Sequence, residues 1–307
     1  IWIVANALVL VAATLAALRV REALGLPLPP RALALALVLW SFPVVFELER
    51  ANFDLITLFV VLAAAPLLRR GARVPDLLAG ALLAVGPWVK LYPGVLGLLL
   101  VGLRRRWALA GFAAAGIAIG AATPRETIRS FEVLRIAVHR VHGSTLKLPL
   151  STWTHSVTAA LTKLAQAVPE PALRTKLLAL PLGALAVALV VASLVPLALR
   201  VFRHPAPERL YLPLACLLLA AGSTAPEIAN DYSLAFLPIA AVAVVTTRDP
   251  LPVRALLAGG AIVLQPFALP IPAAAVLSLK LGALVGVGLA IGRRLAELPR
   301  APGSDAP

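Results

Sequence analysis

The sequence predicts an all-α, polytopic integral membrane protein, and three observations lead there. Of the 307 residues, 61% are hydrophobic and 14% charged, against roughly 45–50% and about 25% in soluble domains, so a soluble fold of this size could not hide the apolar surface. The mean hydropathy is +0.94, and apolar runs fill the whole length, which makes lipid the solvent for most of the chain. In lipid only helices or closed barrels satisfy their backbone polar groups. Runs such as 177–199 are apolar on every side, which suits a helix of about 20 residues and not the period-two alternation of a barrel strand.

Apolar runs read against their charged punctuation give eleven membrane or half-membrane helices. Residues 1–18 run to Arg19 and Arg21. Residues 32–46 follow Arg31 and end in a polar turn holding Glu47, Glu49, Arg50, Asn52 and Asp54. Residues 53–68 stop at Arg69, Arg70 and Arg73. Residues 77–87 and 94–103 flank Trp88, Lys90 and Tyr92, and the second stops at Arg104, Arg105 and Arg106. Residues 107–122 lead into a long polar stretch, 123–176. Residues 177–199 stop at Arg200, Arg203 and Arg209. Residues 210–222 end before Glu227, Asn230, Asp231 and Tyr232; residues 232–247 stop at Arg248 and Arg254; and residues 254–269 and 273–292 complete the set, ending at Arg293, Arg294 and Arg300. Residues 1–297 are read as one transmembrane domain and 298–307, rich in Pro, Gly and Ala, as a disordered tail.

Every second connection is short and arginine-rich, which makes those loops cytoplasmic by the positive-inside rule. The others face outward and carry the varied polar chemistry. The formal charge of +14 is thereby a topology signal, and no basic face of a soluble domain points to nucleic acid. The lone Cys216 excludes an intrachain disulfide. The chain begins at Ile1 inside an apolar run and contains no methionine, which reads as N-terminal truncation. Its Ala-, Leu- and Arg-rich composition suggests a GC-rich bacterial genome.

Two of the helices are too short. Residues 77–103 make roughly 40 Å of helix at about 1.5 Å per residue, where two crossings need about 60 Å. The pair is expected to be a shallow hairpin with Gly86-Pro87-Trp88-Val89-Lys90-Leu91-Tyr92-Pro93 at its tip, where irregular backbone and a charge are tolerated only against a watery protein cavity. In the outer segment 123–176, Ile128, Phe131, Leu134, Val138 and Val141 recur at helical spacing, and Val157, Leu161, Leu164 and Val168 repeat the pattern. Both read as amphipathic helices on the outer leaflet.

Lys90 reads either as a recessed cation matched by a lipid phosphate or as a lysine snorkelling to water beside interfacial aromatics. A carboxylate in the turn 47–54 can act as a base or orient a hydroxyl, or simply cap a helix. Asp231 suits a helix start on capping grounds alone. His139, His142, His155 and Glu132 match no zinc spacing, so no metal site is assigned. No phosphate-cradling GxxxxGKS, dinucleotide GxGxxG or hydrolase GxSxG pattern occurs.

The run Glu49-Arg50-Ala51-Asn52-Phe53-Asp54-Leu55-Ile56-Thr57-Leu58, then Arg69-Arg70-Gly71, Leu78-Ala79-Gly80, Val89-Lys90-Leu91-Tyr92-Pro93 and Leu103-Arg104-Arg105-Arg106, resembles the central signature of glycosyltransferase family 87. Thr154-His155-Ser156 resembles its Asn-Gln-Ser segment, and Ala225-Pro226-Glu227-Ile228-Ala229-Asn230-Asp231-Tyr232 resembles its Ser-Pro-x-x-Trp-Asp-His-Tyr segment. Departures are Arg50-Ala51 for Gly-Gln, Asp231 for His, Ala229 for Trp and Thr154-His155 for Asn-Gln.

The resemblance implies a GT-C-like fold in the plasma membrane with its active face outward. It implies transfer of a sugar, mannose in the characterised cases, from a polyprenyl-phosphate donor to a lipid or glycan acceptor, with inversion. It places the key aspartate in a first outer loop upstream of Ile1, with Asp231 a candidate contributor. Lys90, Tyr92, Asn52, Arg50, His155 and Tyr232 are then the candidate residues for the donor phosphate or substrate. No cofactor is called for, and a divalent metal stays open. The expected partners are the donor, the acceptor and membrane lipids. Two rival readings stand beside it: a non-catalytic relative that binds polyprenyl phosphate, and a secondary transporter. The transporter expects ionisable groups near the midplane, where only Lys280 lies well inside an apolar run.

Overall fold

A computed structural model describes residues 2–41, 43–45, 48, 54–90, 92–129, 132, 156–204, 206–224, 234–264 and 271–298, with the side chain of Tyr92 outside the description. The described chain is helical, with no strand among the described residues, so the all-α membrane fold expected from composition is what the chain adopts.

The elements run α1 (Trp2–Ala23), α2 (Arg31–Leu39), α3 (Asp54–Arg70), α4 (Arg73–Leu83), α5 (Val85–Val89), a 3₁₀ turn (Tyr92–Val95), α6 (Leu96–Gly102) and α7 (Arg106–Ala122). They continue with α8 (Val157–Gln166), α9 (Pro171–Leu178), α10 (Leu182–Arg203), a 3₁₀ turn (Pro207–Leu210), α11 (Tyr211–Gly222), α12 (Phe236–Val244), α13 (Leu251–Val263) and α14 (Ala273–Glu297).

Among the described residues α1, α10 and α14 are each long and apolar enough to cross a membrane. The first predicted helix runs five residues past its expected end, because Arg21 is buried and stays helical. The run expected at 177–199 is broken instead. Residues 171–178 form α9, Pro181 stands before the first turn of α10, and α10 continues to Arg203. A proline pushes the residue before it out of the helical region, which separates the two helices there. The run 32–46 likewise stops at Leu39, with a turn at Trp40 and helix again at 43–45.

Two helices show what the solvent is. α11 is apolar all round and buried almost residue for residue from Tyr211 to Ala221, as expected of a helix at the centre of a bundle. α10 is also strongly apolar, with a mean hydropathy of 2.5 over an 18-residue stretch, yet of its residues only Leu182, Ala186 and Val201 are buried. Leu185, Val187, Leu189, Val191, Val195 and Leu199 all face outward from it. In water such a face would be untenable at about 25 cal/mol per Å² of apolar surface; in lipid it is at rest.

Packing joins α4 to α7 and α3, α13 to α14, α11 to α12, and α1 to α12, α2 and α3. The α4–α7 crossing is a backbone contact. A Cβ on Gly80 would overlap the Ala108 carbonyl, and one on Gly111 would overlap the Leu77 carbonyl. Small residues at such crossings let helices approach where no hydrophobic force drives them together.

One end of the bundle is tied by buried arginines. Arg21 donates to the carbonyls of Pro27 (2.5 Å), Val242 (3.0 Å) and Val245 (2.6 Å). Arg294 donates to the Val244 carbonyl at 3.1 Å and to the carboxylates of Asp249 and Glu297. Asp249 in turn accepts from the Thr246 amide at 2.7 Å. The network clamps the α12–α13 loop between the ends of α1 and α14. Arg21 and Arg294, read from sequence as topology charges only, are also structural, since their donors satisfy backbone carbonyls that no helix satisfies.

Candidate functional site

The opposite end is reached through α3 and the short hairpin. α3 starts at Asp54, whose side chain is fully buried, and runs 17 residues to Arg70. The hairpin is built of helices that are indeed too short for a crossing: 11 residues in α4, five in α5 and seven in α6. α6 is roughly 10 Å of helix against a hydrocarbon core of about 30 Å. Pro87 and Pro93 flank the tip, and Lys90 caps α5 in extended conformation, so the backbone turns where the motif places the lysine.

Three contacts seat the tip. The Lys90 ammonium lies 2.6 Å from the Asp54 carboxylate. Gly86 packs on Thr57, one turn along α3, and a Cβ there would come 3.4 Å from the Thr57 methyl and 3.0 Å from Pro93. The Trp88 ring lies over Gly120 of α7, whose Cβ would stand 3.0 Å from it. Lys90 keeps 24% of its side chain exposed while Asp54 keeps none. The lysine is thus a cation held against a buried carboxylate with part of its side chain exposed. The Thr57 hydroxyl is fully buried and has no hydrogen-bond partner among the described residues.

A second junction lies at this end. Tyr211, at the start of α11, donates its hydroxyl to the Val61 carbonyl of α3 at 3.2 Å. Tyr211 and Leu212 line one cavity with Leu68 and Arg69. α11 therefore leaves from the Arg69 end of α3 and finishes at the Asp54 end. There the Val157 amide donates to the Thr224 carbonyl at 2.8 Å, and Ser156 caps α8 by accepting from the Ala159 amide at 3.0 Å. The fold thereby brings Ser156 and Val157 to Thr224. These described residues border the two later motif segments, about 70 residues apart in sequence, whose other residues lie outside the description. α8 is amphipathic as expected, but its inner face is Thr158, Ala159, Thr162 and Ala165, while Leu164 is 67% exposed.

Of the sequence candidates, Lys90 is placed and paired. Only the backbone of Tyr92 is described, as the start of the 3₁₀ turn. Arg50, Asn52, His155, Asp231 and Tyr232 lie outside the described residues, as do Glu47, Glu49, residues 130, 131 and 133–155 of the outer segment with His139 and His142, and the tail from 299. Asp54 was legible as one carboxylate of a polar turn, but not as the partner of a lysine 36 residues on. Thr57 went unread, though it sits three residues after Asp54 on the same helix face. Lys280 is 1% exposed in α14, on the half of that helix away from Arg294, and is not an isolated charge.

The arrangement offers a partly exposed cation, a buried carboxylate and a buried hydroxyl at one end of a helical bundle, beneath a broken hairpin. The comparisons with known proteins bear on which chemistry this is. No curated protein and no solved structure matches the chain. The model of glycosyltransferase family 87 matches residues 1–224, a span that takes in α3, the hairpin and the junction of Val157 with Thr224. The chain belongs to glycosyltransferase family 87 and is a membrane glycosyltransferase.

Proposed function

We propose that the Lys90 end of the bundle binds a polyprenyl-phosphate sugar and transfers the sugar, mannose by the family resemblance, to a lipid or glycan hydroxyl. The observation that carries this reading is the Lys90–Asp54 pair at the tip of the short hairpin. The pair sets a partly exposed cation on a fully buried carboxylate, which suits a phosphate whose polyprenyl tail stays in lipid. The arginine loops then lie in the cytoplasm by the positive-inside rule, and transfer takes place on the outer face of the plasma membrane.

The acceptor's hydroxyl oxygen forms a bond to the anomeric carbon as the bond from that carbon to the phosphate oxygen breaks. The electron pair leaves with the polyprenyl phosphate, the hydroxyl proton passes to a carboxylate, and the configuration inverts. Asp231 is the candidate contributor to that step. Lys90 stabilises the charge growing on the phosphate, where preorganised electrostatics contribute most. Asp54 holds the ammonium in place, and the Thr57 hydroxyl is a donor beside it. Arg50, Asn52, Tyr92, His155 and Tyr232 are assigned to donor and acceptor contacts.

The test is transfer of labelled mannose from polyprenyl-phosphate mannose in membranes containing the protein, with and without Lys90→Gln. Loss of transfer at equal amounts of folded protein supports the assignment; undiminished transfer removes Lys90 from the site. A second reading, a relative that binds polyprenyl phosphate without turnover, draws on the departures at Arg50-Ala51 and Asp231. It predicts binding of the lipid phosphate with no release of sugar from any donor.

A further inference from the structure

The ends of α1 and α3, the α6–α7 loop and the start of α11 enclose a cavity of about 220 Å³ at the arginine end of the bundle. Arg19, Arg69, Arg105 and Arg209 converge on it from these four separate connections, against the single carboxylate of Glu208. Arg105 reaches Asp76 at 3.7 Å. Arg19, Arg69 and Arg209 make no ion pair or hydrogen bond with other described residues. Elsewhere at this end Arg21 and Arg294 are engaged on carbonyls and carboxylates, Arg104 on the Phe202 carbonyl and ring, and Arg73 over Trp107 at 4.0 Å. Other arginines, Arg31 and Arg254 among them, stand exposed outside this cavity, whereas Arg19, Arg69 and Arg209 share one concavity.

The inner wall is apolar, with Ala16, Leu62, Ala65 and Pro66 among its residues. Pro66 lies inside α3 and has no N–H to give the Leu62 carbonyl one turn back. The volume is below the roughly 300–1,000 Å³ of sites for drug-sized ligands and suits a headgroup. Asp54 and Arg69 are roughly 22 Å apart along α3 at about 1.5 Å per residue, so this cavity is separate from the Lys90 site.

We propose that this cavity is a second, anion-binding site that takes a phosphate group. Guanidinium groups bind phosphate oxygens through charge-assisted, often bidentate hydrogen bonds. Any chain attached to the phosphate follows the apolar wall into the bilayer. The same chemistry is offered by an anionic phospholipid such as phosphatidylglycerol and by a soluble phosphate compound.

The full chain, placed in phosphatidylcholine nanodiscs with or without phosphatidylglycerol, is examined by native mass spectrometry for retained lipid. In parallel its thermal midpoint is read in inorganic phosphate and in chloride at equal ionic strength. The pocket variant is Arg69→Gln with Arg209→Gln; the control is Arg31→Gln with Arg254→Gln, exposed arginines outside the cavity.

Phosphatidylglycerol retention falling about tenfold in the pocket variant, the equivalent of one charge-assisted contact, and holding in the control assigns the site to a lipid headgroup. A phosphate-specific rise in midpoint, absent from the pocket variant and kept in the control, assigns it to a soluble phosphate. Glu208→Gln, which removes the one opposing carboxylate, strengthens either signal and guards against reading misfolding as lost binding. Equal losses in pocket and control variants, or binding of neither probe to the unaltered chain, overturn the proposal.

Discussion

The Lys90–Asp54 pair makes an asymmetric prediction. Asp54 has no exposed surface and Lys90 keeps 24% of its side chain in contact with solvent, so removing one partner is not equivalent to removing the other. Lys90→Ala takes the cation from a carboxylate that has no exposed surface, and breaking a buried ion pair from one side costs about 3–5 kcal/mol. Asp54→Asn leaves an ammonium that can turn to water, and its cost is about 1–2 kcal/mol, that of a lost hydrogen bond to a charged group. The double variant has no charge to strand. It should be more stable than Lys90→Ala alone by about 1 kcal/mol, which with the Asp54→Asn cost makes a coupling of about 2–3 kcal/mol, in the range expected of residues in contact. Reversible unfolding in mixed detergent micelles, followed by tryptophan fluorescence, measures all four corners of the cycle. If Lys90→Ala proves no more damaging than Asp54→Asn, or the second substitution fails to recover stability, the carboxylate is not buried against the lysine and the geometry of the site is wrong.

Gly80→Val and Gly111→Val each push a side chain into the facing helix's backbone carbonyl and should cost about 3 kcal/mol or more. Gly116→Ala on the same α7, with open space around it, should be neutral or stabilising by up to about 1 kcal/mol in the same unfolding assay. Asp249→Asn removes the carboxylate shared by Arg293, Arg294 and the Thr246 amide. It should lower stability by about 3 kcal/mol and open the 245–250 loop to limited proteolysis. Thr57→Val keeps the volume and deletes a buried hydroxyl that has no partner among the described residues. Stability should hold or rise by about 1 kcal/mol, while binding of polyprenyl phosphate weakens; unchanged binding takes Thr57 out of the site.

How much of this was legible from the amino acids depended on the range of the interaction. Membrane residence was legible because composition and apolar run length are local quantities, and α10 needs no partner to declare its solvent. The grouping of the arginines was legible too, since charge punctuation marks helix ends, and Arg19, Arg69, Arg105 and Arg209 do meet in one cavity. The short hairpin was legible from counting residues between Arg73 and Arg104. The Asp54–Lys90 pairing was not, because it joins two elements whose approach depends on Gly80 meeting Ala108 and Gly86 meeting Thr57, contacts that no periodicity encodes. Nor was the split between α9 and α10, where an apolar run hid a proline break. The buried work of Arg21 and Arg294 was masked by their other role, since an arginine at a helix end reads the same whether it faces water or a carbonyl.

The account rests on Lys90 acting on the phosphate of the donor, and sugar transfer tests that most directly. Membranes with matched amounts of folded wild-type protein and Lys90→Gln are given polyprenyl-phosphate mannose and a lipid acceptor, and mannose released to the acceptor is measured. The account predicts a loss on the order of 100-fold or more, the effect of removing one preorganised charge-stabilising group from a transition state. Transfer by Lys90→Gln at the wild-type rate would contradict it.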